Sequence, residues 1–197
     1  MSPNWKILLL GGSGAVGKST LARQLSKHYN IPLMEVDDIR IALQQVADKK
    51  DHPDIFAFKN DPDFLDHFNI DELVEKLIVV GKELTPAIKA IVKKHIMCNE
   101  PVIIEGDSIL PELVKEINSP EVAAIFLYDG MESLQEREKG RIRVERLEQN
   151  RLIKQAQFSF SYGEYIKTQA HTLGLNTIKA SPINTLFERV MSIKLTR

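Results

Sequence analysis

The chain has 197 residues, 27 acidic against 26 basic, with a formal charge of −1 and 43% hydrophobic residues. That balance excludes the basic surface of a duplex-binding protein, and the length suits one α/β domain with inserted pieces rather than two linked domains. A single cysteine excludes an internal disulfide and a cysteine-based zinc cluster, and no apolar run approaches the roughly 20 residues of a membrane span.

The first apolar run, Trp5-Lys6-Ile7-Leu8-Leu9-Leu10, has the length of a buried strand and no charged leader before it. We therefore expect a cytoplasmic protein, monomeric or homodimeric, with neither a membrane nor extended nucleic acid as partner. The run leads into Gly11-Gly12-Ser13-Gly14-Ala15-Val16-Gly17-Lys18-Ser19-Thr20, and a helical pattern follows with Leu21, Leu25 and Tyr29 near one face. Gly12, Gly17, Lys18 and Ser19 satisfy GxxxxGK[S/T] between a strand and a helix, the setting in which the motif binds nucleotide phosphates. Glycines let the backbone turn its N–H groups inward, and the helix start adds partial positive charge. We assign Gly12, Ser13, Gly14, Ala15, Val16, Gly17, Lys18, Ser19 and Thr20 to a nucleoside triphosphate. Lys18 faces the β/γ-phosphates, and the Ser19 hydroxyl faces Mg²⁺.

A helix over 18–29 ends at Asn30 and Pro32, and a short strand, 33–36, leads to Asp37-Asp38-Ile39-Arg40. Asp38 is expected to cap the next helix. Asp37 lies at the strand edge where open α/β sheets bind ligands, and is a candidate general base, or an orienting carboxylate, for an attacking hydroxyl. Arg40 is read either as a group holding an anionic part of the acceptor or as a surface arginine. Residues 48–71, with Pro53, Pro62 and four phenylalanines, read as short helical pieces inserted before the third strand, an acceptor-binding insertion whose aromatics pack it onto the body.

A long helix is expected from Asp71 to about Cys98, kinked or broken near 83–85 by Pro86, with Cys98 buried. Val102-Ile103-Ile104-Glu105-Gly106-Asp107 is a strand ending in acids, where a water-linked Mg²⁺ carboxylate is carried. Glu105 and Asp107 both fit; we assign Asp107, with Ser19, to the metal, and Glu105 and Gly106 to the acceptor. Pro111 opens a helix, 122–128 is the fourth strand, and 133–154 reads as an arginine-dense helix. Arg137 and Arg141 are like charges one turn apart, favourable only around an anion, although interspersed glutamates also suit a plain solvated helix. The run 158–163 is expected to interrupt the helical pattern, Gly174 to close the following helix, and 175–180 to form the fifth strand before Ser181-Pro182 turns into a last helix. Five short strands separated by helices predict a three-layer α/β/α fold, a parallel sheet covered on both faces.

With Gly11 to Ser19, Val36-Asp37-Asp38-Ile39-Arg40 and Pro101 to Gly106 followed by Pro111, the chain resembles the phosphate-loop small-molecule kinases. That group includes shikimate, gluconate and adenylate kinases, chloramphenicol phosphotransferase and zeta toxins, and the chain looks most like the 2-phosphoglycerate kinase-like proteins. It departs from these in having Asp107-Ser108 where they carry a histidine after the Glu-Gly pair. The resemblance implies a P-loop NTPase fold with sheet order 2-3-1-4-5 and ATP with Mg²⁺ as cofactors. It also implies an acceptor-hydroxyl contact at Asp37, a helical lid about 130–160 carrying Arg137 and Arg141 as catalytic arginines, and an adenine site beside Ser181 and Pro182. The activity it implies is ATP-dependent phosphorylation of a hydroxyl on a small polar metabolite or antibiotic; the alternative is an ATP-binding regulatory protein without acceptor chemistry.

Overall fold

The computed structural model describes residues 3–140 and 149–193. Strands β1 (Ile7–Gly12), β2 (Leu33–Glu35), β3 (Val102–Glu105), β4 (Val122–Tyr128) and β5 (Asn176–Lys179) form one parallel sheet in the order β2-β3-β1-β4-β5. The central strand is apolar at nearly every position because both faces are covered. Ile7 and Leu9 belong to one core with Leu84, Ile88 and Tyr162, while Leu8 and Leu10 belong to the other with Leu21, Leu25 and Val190. In register, Leu9 pairs Ile104 on one side and Ala124 on the other.

Helices α1 (Lys18–Tyr29), α2 (Val36–Val46), α3 (Phe64–His67), α4 (Ile70–Met97), α5 (Pro111–Ile117), α6 (Met131–Lys139), α7 (Gln149–Thr172) and α8 (Leu186–Ser192) connect and cover the strands. The fold class, the sheet order and the five strands agree with the sequence. Among the described residues no helix is long and apolar enough to cross a membrane.

Local expectations fail in several places. Helix α4 runs unbroken through Pro86, because Leu73, Leu77, Val80, Leu84, Ile88 and Val92 bury one stripe along its whole length. Thr85 Oγ1 donates to the Gly81 carbonyl, 2.9 Å away, on the same turn. The helix begins at a capping box, in which Asn69 Oδ1 accepts from the Glu72 N–H at 3.0 Å and Glu72 Oε2 from the Asn69 N–H at 2.8 Å. Cys98, expected inside, is exposed at its C-cap, more than a turn past Val92, the last buried position of the stripe.

Helix α6 ends at Lys139, with Gly140 as its C-cap, and residues 149–154 are helical within α7; the part of the expected helix over 141–148 lies outside the described residues. Helix α7 runs straight through 158–163, where a break was expected. Phe158, Ser159, Tyr162 and Gly163 are all buried there, and a Cβ on Gly163 would lie 3.1 Å from Ser13 Oγ. Burial of this face, not local propensity, keeps the segment helical.

Candidate active site

Strand β1 ends at Gly12 with φ of 136°, where a Cβ would sit 2.2 Å from the Leu127 carbonyl oxygen, so only glycine fits. Gly17, at φ of 85°, is the N-cap of α1, and no side chain caps that helix. The first-turn N–H groups of α1 are thus left for an anion at the helix's positive end.

The loop borders a cavity of about 320 Å³ lined by Gly14, Ala15, Gly17, Lys18, Ser19 and Thr20, facing Glu35, Asp37, Glu105, Gly106, Asp107 and Arg137. Gly12, Ser13 and Val16 lie behind this surface. Val16 is wholly buried in the core, and the Ser13 hydroxyl is buried without a partner, so Ser13 contributes main chain only: its carbonyl accepts from Lys18 Nζ at 2.7 Å.

Four carboxylates, Glu35, Asp37, Glu105 and Asp107, line this cavity. Asp37 was expected at a strand end; instead β2 stops at Glu35 and Asp37 and Asp38 fall in the first turn of α2. Glu35 is the N-cap through its backbone, so Asp38 does not cap. Near the helix start both acids interact favourably with the helix dipole. Asp37 is open to the water of the cavity, yet the enclosing walls partly desolvate it and the Asp107 carboxylate repels it, which together push its pKa up to about 6 against the pull of Lys18.

Glu105 is 4% exposed; burial raises its pKa, and a hydrogen bond from Ser19 opposes the rise. Glu105 and Gly106 line this cavity and not the cavity beside it. Gly106 has a packing reason to be small, since a Cβ would meet Val36 Cβ at 2.7 Å. Among the described residues no three His, Cys, Asp or Glu side chains surround one metal position. A Mg²⁺ here would rely on Ser19, an acid, phosphate oxygens and water, as hard dications bound with nucleotides do.

The second cavity, of about 480 Å³, shares Gly14, Asp37 and Asp107 with the first. The 48–71 insertion supplies Phe58, Pro62, Phe64 and Leu65, and α7 supplies Gln155, Phe158, Ser159 and Tyr162. Aromatic contacts join these two walls: Phe58 lies 5.0 Å from Phe64 and 6.5 Å from Phe158, centroid to centroid. Arg40 lines this cavity and is also engaged within the protein. Its Nε donates to the Ile55 carbonyl at 2.8 Å and its Nη2 to the Ala57 carbonyl, fastening the insertion to α2. Glu83 of α4 holds the same loop, accepting from the Ile55 N–H at 2.9 Å.

Arg137, at the end of α6, reaches the phosphate cavity and donates to Asp129. Asp129 is buried just past β4 and also accepts from Ser181 Oγ at 2.6 Å and from the Gly130 N–H at 2.8 Å. Burial alone would raise its pKa, but the hydrogen bonds from Ser181, Arg137 and Gly130 prevail and hold it below the usual carboxylate value. Ser181 and Pro182 do not line the phosphate cavity. Their turn abuts the loop, however: a Cβ on Gly17 would lie 2.7 Å from Ile183 Cδ1. Arg189 of α8 holds the turn through the carbonyls of Lys179, Ala180 and Pro182 at 2.7, 2.8 and 3.0 Å. Arg141, Arg143 and Arg146 lie outside the described residues.

Asp129, Gln155 and Ser159 stand in no sequence motif. Asp129 follows a buried strand as Asp107 does, which was the one available hint; the α7 pair could be found only from the packing.

The chain is similar to shikimate kinase from Bacteroides thetaiotaomicron, with 16% identity, 94% of this chain and 96% of that one covered, and a TM-score of 0.52. It is similar to a gluconokinase from Sinorhizobium meliloti 1021 at 15% identity, covering 98% of this chain and 92% of that one, TM-score 0.50. An uncharacterized protein from Eubacterium ventriosum ATCC 27560 matches at 15% identity over 96% and 97%, TM-score 0.50. These likenesses show that the chain shares the three-layer α/β/α fold of these structures. No family model and no curated protein matches the chain. The particular likeness to 2-phosphoglycerate kinase-like proteins gains no support from these comparisons.

Proposed function

We propose that the chain is an ATP-dependent phosphotransferase that moves a γ-phosphoryl group to a hydroxyl of a small metabolite or antibiotic in the cytoplasm. The observation that carries this reading is the sharing of Gly14, Asp37 and Asp107 by two adjoining cavities, one walled by the phosphate loop and one by the insertion and α7. A donor in the first and an alcohol in the second would meet at Asp37, where binding places the reacting atoms together.

The residues present fit the donor: an uncapped helix start, a lysine, a serine beside a carboxylate, and an arginine on the far wall. The loop N–H groups and Lys18 hold the phosphate chain, the 180–182 turn lies toward the base, and Ser19 with Asp107 holds the metal, Glu105 orienting Ser19. Bound ATP with Mg²⁺ would supply the transferable phosphoryl group. Asp37 takes the proton from the acceptor hydroxyl, a role suited to a carboxylate whose pKa is about 6. Arg137 places positive charge beside the phosphate cavity, with its head group oriented by Asp129. The segment 130–160 is the lid in this reading, and 48–71 the acceptor wall.

The test is ADP release against a panel of hydroxyl compounds, with the phosphorylated product identified by mass. Stimulation many-fold over the rate with water supports the proposal. Tight nucleotide binding with no stimulation by any compound supports the regulatory alternative.

A further inference from the structure

We infer that the phosphoryl acceptor is an uncharged alcohol with an apolar body, whose other polar groups are read by Gln155 and Ser159. This rests on the phosphotransferase reading and names the substrate class for it.

The cavity beside Asp37 has one wall of Phe58, Phe64, Leu65, Leu77 and Phe158, and its volume of about 480 Å³ suits a ring-sized molecule. Its charged lining, among the described residues, is Asp37, Asp107 and Arg40: two acids against one base. The base is already engaged. Arg40 donates to the carbonyls of Ile55 and Ala57, and its charge faces Asp37 and Asp107. Its Nε edge is thereby taken by the protein, and a carboxylate or phosphate would enter against an excess of negative charge in the lining.

The neutral polar groups point to another kind of recognition. Gln155 is 8% exposed and Ser159 3% exposed, and they lie one turn apart on the face of α7 that borders the cavity. Neither side chain makes a hydrogen bond with another described residue. The nearby Tyr162 hydroxyl is spent on the Asp107 carbonyl, so it does not compete for them. Open to the cavity and without partners among the described residues, this amide and hydroxyl favour the ligand group that completes their hydrogen bonds over an analogue without it. A hydroxyl or amide on the acceptor fits both.

The test uses the full chain loaded with Mg²⁺ and a non-hydrolysable ATP analogue, titrated calorimetrically with matched pairs. The pairs are 4-(hydroxymethyl)benzamide with 4-(hydroxymethyl)benzoate, mandelamide with mandelate, and shikimamide with shikimate. The amide of each pair should bind at least about tenfold more tightly than the acid. Gln155→Leu and Ser159→Ala should each weaken amide binding several-fold, with unchanged affinity for the ATP analogue serving as the check on folding. Equal or tighter binding of the acids overturns the inference, as does binding by none of the six compounds. Because no turnover is read, either result leaves the phosphotransferase reading intact; that reading falls instead if no hydroxyl compound raises ADP release.

Discussion

Ser181 Oγ lies 2.6 Å from Asp129 Oδ2, the same carboxylate oxygen that receives the hydrogen bond of Arg137. One buried acid therefore joins the turn after β5 to the arginine at the end of α6. Asp129→Asn should lower stability by about 1–3 kcal/mol, measured by denaturant unfolding at pH 7, because a charged acceptor of three hydrogen bonds becomes a poorer one. The sign of its pH dependence follows from a folded pKa below the ordinary 3.8. The stabilising contribution is complete above that value and fades as pH falls through the folded pKa, so the gap between wild type and variant should close only in strong acid. Turnover should also drop about tenfold or more as Arg137 loses its orientation.

Lys18→Ala should abolish phosphoryl transfer while the thermal melting curve stays near that of wild type. Lys18 is half-buried at the cavity and donates to a loop carbonyl, Ser13 O, so its loss removes charge from the site without opening the core. Near-normal ADP release by the variant would remove this lysine from the mechanism.

Asp37 makes a prediction in which activity and stability move apart. Its folded pKa of about 6 exceeds the ordinary 3.8, so the folded state binds this proton more tightly than the unfolded one. Stability from this group is therefore present at low pH and declines as pH rises from about 3.8 through 6. Asp37→Asn should melt no lower than wild type at pH 7.5 and yet turn over roughly a hundredfold more slowly, with ATP affinity kept. The wild-type kcat/KM should climb through a pKa near 6, and that inflection should vanish in the variant. A change confined to acceptor affinity would make Asp37 a binding group rather than a base.

Glu105 accepts a hydrogen bond from Ser19, the residue placed on the metal. Glu105→Gln should raise the Mg²⁺ concentration needed for half-maximal nucleotide binding by about 10–100-fold, the range for losing a group that orients a metal ligand. Magnesium titration of nucleotide fluorescence measures this directly, and an unchanged midpoint would dissociate Glu105 from the metal.

The phosphate loop, the five strands and their order along the chain were legible in sequence because each depends on neighbours: a glycine with positive φ, an apolar run, a helix start. The sequence also located Asp37, although it put it on the strand and not on the first turn of α2. What it misjudged were features set by contact at a distance. Pro86 does not break α4, and 158–163 does not break α7, because a buried stripe outweighs local preference at both places. That Arg40 also ties the insertion to α2 shows only when the carbonyls of Ile55 and Ala57 are found on it. Asp129, Gln155 and Ser159 stand in no motif; they become neighbours of the site only when β4 and α7 pack beside β1. The candidate phosphate loop was thus decided by consecutive residues, whereas the shape and charge of the cavity proposed for the acceptor were decided by tertiary packing, which joins residues separated by long stretches of chain.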